Sequence, residues 1–176
     1  MADTNHEVVT WQEDVTHDRV PDKIEVDIGL AKAVGENLKG NEETVRIFSG
    51  KTEEKIWSGH ADTIHAGWNG FYLYRNPENK KTYILNWRPV LYQGTGHFFY
   101  RIFSLTEQGE IQTFMEEAFD FEVNAMSKEE KEQLDAYLAR LNGYLENSYL
   151  LIDTDGGIVK YSPQGRPMTK TYQLLS

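Results

Sequence analysis

Apolar and polar positions alternate with a period of two along most of the chain between residues 44 and 161. This is the pattern of β-strands that bury one face. Residues 44–48 and 55–58 form a first pair of such segments, and residues 71–74 and 82–87 form a second pair around a polar turn. The pattern therefore predicts a succession of antiparallel hairpins.

The next predicted hairpin contains the clearest strand of the chain. Residues 97–105 carry apolar side chains toward both faces, which is typical of a central strand that is covered on each side. The return strand is predicted over residues 110–123, with a bulge at Glu116–Glu117. Pro89 is predicted to end or bend the preceding strand, because proline cannot donate a ladder hydrogen bond.

One segment carries a strong helical pattern, from residue 128 to about 146. Ser127 and Glu130 have the spacing of a capping box, in which each residue accepts a hydrogen bond from the backbone N–H of the other. Apolar residues then recur at intervals of three and four and form one stripe, made of Leu134, Tyr137, Leu138, Leu141, Tyr144 and Leu145.

A last hairpin is predicted after this helix. Residues 149–152 and 158–161 are apolar runs that flank Asp153-Thr154-Asp155-Gly156-Gly157, and Asp-Gly between such runs indicates a turn. The same five residues resemble the start of a calcium loop. However, Gln164 stands at the twelfth position, where such a loop needs a bidentate glutamate.

These elements predict an α+β fold: an antiparallel sheet of hairpins packed against one long amphipathic helix. We expect a single domain over residues 22–176, preceded by a polar lead-in or linker over residues 1–21 that contains five acidic residues. Near the start of the domain, residues 24–28 have a short strand pattern. Residues 30–38 are predicted as a short helix, with an extended stretch over 23–34 as the alternative.

Composition narrows the classes of partner. The chain has 18 basic and 28 acidic residues, a net charge of −10, and its basic residues are scattered. We therefore expect no nucleic-acid partner, because phosphate binding needs clustered Lys and Arg. No run approaches the ~18 apolar residues of a transmembrane segment. The absence of cysteine excludes disulfides and thiolate metal sites, and no motif points to a cofactor.

Aromatic residues are concentrated between residues 57 and 103. Most are expected in the core, because hairpin faces bury large side chains. The alternative is that Tyr72, Tyr74 and Trp87 form an exposed platform for a sugar or a peptide. The candidate binding residues are Trp68, Tyr72, Tyr74, Trp87, Tyr92 and His97.

A candidate metal site lies in the loop after residue 59. His60, Asp62 and His65 combine two imidazoles with a carboxylate, which are ligand types of zinc and other transition metals. The alternative is a loop that binds no metal. No nucleophile elbow, dinucleotide fingerprint or assignable acid–base pair accompanies these residues, so the sequence favours a protein that is not an enzyme.

Several segments of the chain form a recognisable order, namely residues 70–74, 83–89, 92–105, 119–124 and 145–157. This order resembles uncharacterised secreted or lipid-anchored proteins of Gram-positive bacteria. The resemblance implies a signal sequence and a lipid-modified cysteine in the native chain. We therefore expect an extracytoplasmic or cell-surface location with the native signal removed, and a cytoplasmic location is the alternative.

Three functional hypotheses follow. The first is a non-enzymatic extracytoplasmic binding module that uses the hairpin sheet or its loops to hold a peptide, a glycan or a protein partner. The second is an intracellular acidic interaction protein, or an immunity-type protein, that neutralises a basic partner. The third is a metal-dependent hydrolase at His60, Asp62 and His65. The oligomeric state is not readable from the sequence.

Overall fold

The structure is a computed structural model that describes residues 8–28, 30, 43–60, 68–155 and 158–161. The first of its two sheets is antiparallel and has four strands in sequence order. These strands are β1 (Val8–Glu13), β2 (Asp22–Asp27), β3 (Val45–Phe48) and β4 (Lys55–Gly59).

The second sheet has six antiparallel strands and a helix beside it. Its strands are β5 (Trp68–Arg75), β6 (Thr82–Tyr92), β7 (Thr95–Leu105), β8 (Ile111–Glu122), β9 (Ser148–Asp155) and β10 (Ile158–Tyr161). They are arranged in the order β10-β9-β5-β6-β7-β8, so β8 and β10 are the edges. The helix α1 (Lys128–Leu145) connects β8 to β9.

The predicted fold class is wrong. The α+β interpretation placed one sheet of hairpins against one long amphipathic helix. The protein is instead mostly β, with two antiparallel sheets, and α1 contributes only 18 of the 176 residues. The period-two pattern shows that a strand buries one face, but it does not show whether a helix or a second sheet covers that face.

The first hydrophobic core lies between the two sheets. Side chains of the four-stranded sheet pack against one face of the six-stranded sheet, and each buried aliphatic residue contributes about 1.5–3 kcal/mol. The members include Val9, Trp11, Ile24, Val26, Val45 and Ile47 from the first sheet, and Phe71, Leu73, Ile84, Phe103 and Leu105 from the second.

The second core lies on the opposite face of the six-stranded sheet. Leu134, Tyr137, Leu141 and Leu145 are the buried residues of α1, and they belong to this cluster. The sheet supplies mainly aromatic partners, among them Tyr72, Tyr74, Trp87, Phe98 and Tyr100. The four interior strands, β9, β5, β6 and β7, therefore bury side chains on both faces of the sheet.

The capping box and the extent of the helix are confirmed. The helix runs over Lys128–Leu145, against a prediction of residue 128 to about 146. The Ser127 hydroxyl accepts a hydrogen bond from Glu130 N at 3.1 Å, and Ser127 N donates to the Glu130 carboxylate at 3.5 Å. The last hairpin is also confirmed, because β9 pairs with β10 around residues 156–157.

The lead-in predicted for residues 1–21 needs correction from Val8 onward. β1 lies within it and pairs with β2, where Trp11 faces Ile24 across the ladder. Val15 is completely buried in the first core. Sparse apolar residues among acidic ones are enough for an edge strand, because only one side of such a strand faces the core.

Two local predictions along the six-stranded sheet are also corrected, namely the end of β6 at Pro89 and the bulge at Glu116–Glu117. β6 does not end at Pro89 but continues to Tyr92, with Pro89 opposite Phe98 of β7. The ladder between β5 and β6 stops at Gly70 and Trp87, so Pro89 lies where, among the described residues, β6 has only β7 as its strand neighbour. The bulge of β8 falls at Phe114, because Met115 faces Ile102 and Thr113 faces Phe103.

Some predictions lie outside the described residues. The short helix over residues 30–38 falls almost wholly in the stretch 31–42, and its extended alternative over residues 23–34 is described only up to residue 28 and at residue 30. β2 covers the start of that stretch and ends at Asp27.

A group of polar side chains joins α1 to β8. The Glu117 carboxylate accepts two hydrogen bonds from the Arg140 guanidinium, at 3.0 and 2.8 Å, and one from the buried Tyr100 hydroxyl. The Tyr137 hydroxyl donates to the Glu117 carbonyl oxygen at 3.0 Å. The Arg140 guanidinium holds the pKa of Glu117 below its ordinary value, and burial raises the pKa of Tyr100 well above its own.

The Glu117→Gln variant is expected to lose about 1.5 kcal/mol of stability at neutral pH. Charge-assisted hydrogen bonds are the stronger kind, but half-exposed Arg140 keeps the loss moderate. A carboxylate whose pKa is lowered by folding stabilises the fold above its unfolded pKa, and that contribution disappears as the pH falls through the folded pKa.

Urea unfolding of both proteins from neutral pH down to about pH 3 measures this difference. The gap between wild type and variant should shrink below the ordinary glutamate pKa of 4.5. A gap that stays constant over the series would contradict the ion-pair explanation.

Candidate binding site

The predicted aromatic platform is buried. Tyr72, Tyr74 and Trp87 are 0%, 5% and 0% exposed, so the core interpretation of these three residues is confirmed. The ring centroids of Trp87 and Phe98 are 5.3 Å apart in an edge-on contact, and those of Tyr74 and Tyr144 are 5.4 Å apart. The platform is absent because α1 covers this face of the six-stranded sheet.

Tyr92 and His97 are exposed and are not buried with these three residues. Tyr92 lies at the tip of the β6–β7 hairpin and is half exposed. His97 is exposed on β7, and its Nδ1 lies 3.0 Å from the Asp120 carboxylate of β8. Trp68 begins β5, and its side chain lies outside the described residues. A role for these three in binding stays a prediction.

The predicted metal site is described only at His60, since Asp62 and His65 fall in the stretch 61–67 outside the described residues. Among the residues that the structure describes, no group of three or more His, Asp or Glu side chains is placed to hold a metal ion.

A cleft lies between the end of β4 and the six-stranded sheet, on the face of that sheet that bears the first core. It has a volume of about 210 Å³. One wall is the end of β4, with Trp57, Gly59 and His60, and this wall faces Phe71 and Phe103 of the core. The wall can lie close to Phe71 because Gly59 has no side chain. A Cβ at this position would be only 2.9 Å from the Phe71 ring.

The floor of the cleft is a block of four side chains on two neighbouring strands. Asn86 of β6 faces Arg101 of β7, and Arg88 of β6 faces Phe99 of β7. Alternation along each strand brings all four to the same face. The two arginines therefore occupy diagonal positions of the ladder, which lie about 7–8 Å apart in sheets.

A chain of amide hydrogen bonds fixes the floor to the wall. Asn69 Nδ2 donates to the His60 carbonyl oxygen at 2.6 Å. Asn86 Nδ2 in turn donates to Asn69 Oδ1 at 2.6 Å and to the Gly70 carbonyl oxygen at 3.0 Å. Buried amides that are bonded in this way hold neighbouring side chains in a defined geometry.

The two arginines of the floor have different surroundings. Arg101 Nε lies 2.9 Å from the Glu116 carboxylate, and its guanidinium stands 5.4 Å from the centroid of the Phe99 ring. Arg88 takes part in no ion pair among the described residues. Its Nε is buried and has no hydrogen-bond partner in the described part of the chain. A buried donor without an acceptor costs about 1–3 kcal/mol, and with no internal partner of this kind the Arg88 guanidinium can engage a ligand.

A larger depression of about 430 Å³ lies beside the four-stranded sheet, but its cation is already engaged. Lys23 Nζ stands 4.6 Å from the centroid of the Phe48 ring and 3.4 Å from the Glu25 carboxylate. We therefore take the cleft at Arg88 as the candidate binding site.

The sequence analysis missed Asn69, Asn86, Arg88 and Arg101. A signal was present, because Asn86 and Arg88 alternate with the buried Leu85 and Trp87 of β6. Polar side chains on the second face of a central strand need a reason, since that face is normally covered by apolar neighbours.

Comparisons with protein-family models, curated proteins and solved structures found no match. The resemblance to secreted or lipid-anchored proteins of Gram-positive bacteria therefore stays a prediction. In the part of the chain that the structure describes, no helix is long and apolar enough to cross a membrane.

Proposed function

We propose that the protein is a non-enzymatic binding module whose cleft holds a carboxylate group of a peptide ligand. The observation that carries this function is Arg88, a cleft arginine with a buried and unpartnered Nε, in a chain with a net charge of −10. An acidic protein can neutralise its arginines internally, as Glu116 does for Arg101.

A carboxylate fits the chemistry of the cleft. The planar guanidinium group presents parallel N–H donors that match the two oxygens of a carboxylate. The second guanidinium, that of Arg101, adds positive charge on the same face. The described lining consists of these two arginines, two side-chain amides, one histidine, one glycine and apolar residues.

A peptide suits this cleft better than a glycan does. Sugar recognition depends on an open aromatic face, whereas the Phe99 ring is covered by the Arg101 guanidinium. Trp57 packs against Phe71 and Phe103, with centroid distances of 6.0 and 5.5 Å. The volume of about 210 Å³ lies below the ~300 Å³ of typical small-molecule pockets, so it suits one terminal group of a chain.

The same proposal places the protein outside the cytoplasm. Its support is the sequence alone, namely the resemblance of several segments to secreted or lipid-anchored proteins.

Binding of a peptide panel tests the function. Each peptide is made with a free C-terminal carboxylate and again with an amidated terminus, and affinity is measured by fluorescence polarisation. Some free-acid peptides should bind, and amidation should abolish their binding. The Arg88→Gln variant should weaken binding at least about 10-fold, because hydrogen bonds to charged groups contribute about 1.5–3 kcal/mol.

Arg75→Gln is the matched control. Arg75 lies at the other end of the same sheet, with half of its side chain exposed and a single contact to Glu13 at 3.3 Å. Its loss should leave binding unchanged. Equal binding of acid and amide forms, or equal effects of the two variants, would overturn the proposal. Arg88-dependent binding of acidic sugars, but of no peptide, would replace the ligand class.

A further inference from the structure

We infer that the outer edge of β8 is a second binding site, which accepts an extended protein segment with basic residues at alternate positions. This site goes beyond the carboxylate cleft: it uses backbone groups of a different strand and a ligand of opposite charge. The juxtaposition that supports it is a long unpaired strand edge together with a row of carboxylates along the same edge.

β8 is the longest edge strand that the structure describes. It has 12 residues, against six in β1, five in β4 and four in β10. Its only strand neighbour among the described residues is β7. Native edge strands are commonly protected by proline or by lysine, and β8 contains neither. Most of its residues are exposed.

The hydrogen-bond pattern shows which backbone groups face outward. Val123 N donates to the Gly94 carbonyl oxygen at 2.7 Å, so Val123 is bonded toward β7. In an antiparallel pair, bonded and non-bonded residues alternate. The N–H and C=O groups of Glu116, Ala118, Asp120 and Glu122 therefore point away from β7, toward the open edge. An added strand would bond to these groups, as in β-augmentation.

Charge identifies the kind of segment that fits. Three of these four residues are acidic, and alternation places their side chains on one face of the sheet. The side chains of Glu116 and Asp120 are 45% and 72% exposed. Arg101 and His97 approach them from the β7 side, and a carboxylate can accept further hydrogen bonds on its open side. Lys or Arg at every second position of an added strand would meet this row.

A second copy of the chain is a poor occupant of this edge. Two β8 strands that run antiparallel and pair through these outward groups, centred on Ala118, would place Glu116 of one copy opposite Asp120 of the other, twice. Like charges directly opposite each other destabilise a pair of strands. Each copy also carries a net charge of −10, which opposes association.

Titration of the full chain with a synthetic octapeptide of alternating Lys and Val tests this site. We expect protection from amide hydrogen exchange at Glu116, Ala118, Asp120 and Glu122, followed by NMR. An octapeptide of alternating Glu and Val is the charge-reversed control and should not bind. Binding of the basic peptide should weaken as the salt concentration rises, because the attraction between exposed charges is screened.

The variant Ala118→Pro separates the edge from a general charge effect. Ala118 N–H faces the open edge, so proline there leaves the ladder to β7 intact and removes one donor to the added strand. It should weaken peptide binding at least about 10-fold, as expected when a strand cannot add past proline. Ala118→Val keeps the N–H and should bind as wild type does.

Three results of the peptide experiments would overturn the inference. They are equal binding by Ala118→Pro and Ala118→Val, equal binding of the two octapeptides, and protection on another edge in place of β8. Protection at β8 that rises with protein concentration without peptide would instead indicate pairing of two copies, and would also overturn it. If Ala118→Pro does not fold, exchange protection in the wild type decides the question alone. Arg88→Gln should not affect this binding, which separates it from the cleft.

Discussion

Gly109→Ala is expected to destabilise the protein by about 4 kcal/mol or more, the range of severe single substitutions. Gly109 lies in the turn between β7 and β8 with a φ of +86°, a conformation that residues with a Cβ adopt at a cost of about 1–2 kcal/mol. A Cβ at this position would also lie 1.8 Å from the Ile56 carbonyl oxygen of β4. The backbone of one of the two sheets must therefore move.

Gly94→Ala is the matched control for this prediction. Gly94 has a similar φ of +82°, but a Cβ there would have no neighbour within 4 Å. It should lose only the conformational part, about 1 kcal/mol. Urea unfolding of both variants measures the difference. Equal losses would show that the contact between Gly109 and β4 carries no energy of its own.

Asp22→Ala is the second substitution with a large expected effect, a loss of about 4 kcal/mol. The completely buried Asp22 carboxylate accepts hydrogen bonds from the N–H groups of Val15, Thr16 and Gly50 at 2.9–3.1 Å, and from the Thr16 hydroxyl at 3.0 Å. Alanine would leave these donors without an acceptor, and a buried unsatisfied group costs about 1–3 kcal/mol.

Asp22→Asn distinguishes the hydrogen bonds from the packing of the side chain. The amide keeps one acceptor oxygen, but its NH₂ group would face the donors that the second carboxylate oxygen now serves. We expect a loss between that of alanine and zero. Glu107→Ala is the control, because Glu107 pairs with Lys51 at an exposed site and should change stability by less than about 1 kcal/mol. An equal loss in Asp22→Ala and the control would rule out this role of Asp22.

The elements that the sequence predicted well are those determined by nearby residues. The capping box joins Ser127 to a residue three positions away, so the residues of one helical turn are enough to predict where α1 begins. The last hairpin depends on a turn between two adjacent runs. Neither element requires knowledge of the rest of the fold.

The arrangement of the sheets depends on contacts between distant parts of the chain. Alternation along β2 shows that Ile24 and Val26 face a core, but the partners across that core, such as Ile84, are about sixty residues away. The same limit explains the fold-class error and the platform error. Tyr72 looks the same in the sequence whether its face of the sheet is open or covered by α1.

Only part of the cleft could be predicted from the sequence. The polar positions Asn86, Arg88 and Arg101 are visible as interruptions of apolar strands. These residues come together only in the strand register that places Asn86 opposite Arg101. The type of the hairpin turn sets this register, so the register cannot be predicted until the turn type is known. Positive φ values at Gln93 and Gly94 supply that turn, and only the structure shows them.

The six-stranded sheet is a wall shared by two cores, and this affects how the chain can tolerate substitution. Ile84 and Leu85 are adjacent in β6, yet each is completely buried in a different core. Successive residues of the interior strands therefore pack against two different sets of neighbours, one in each core. Mutational drift should be slow at nearly every position of this stretch, whereas along the exposed β8 strand it has far more room.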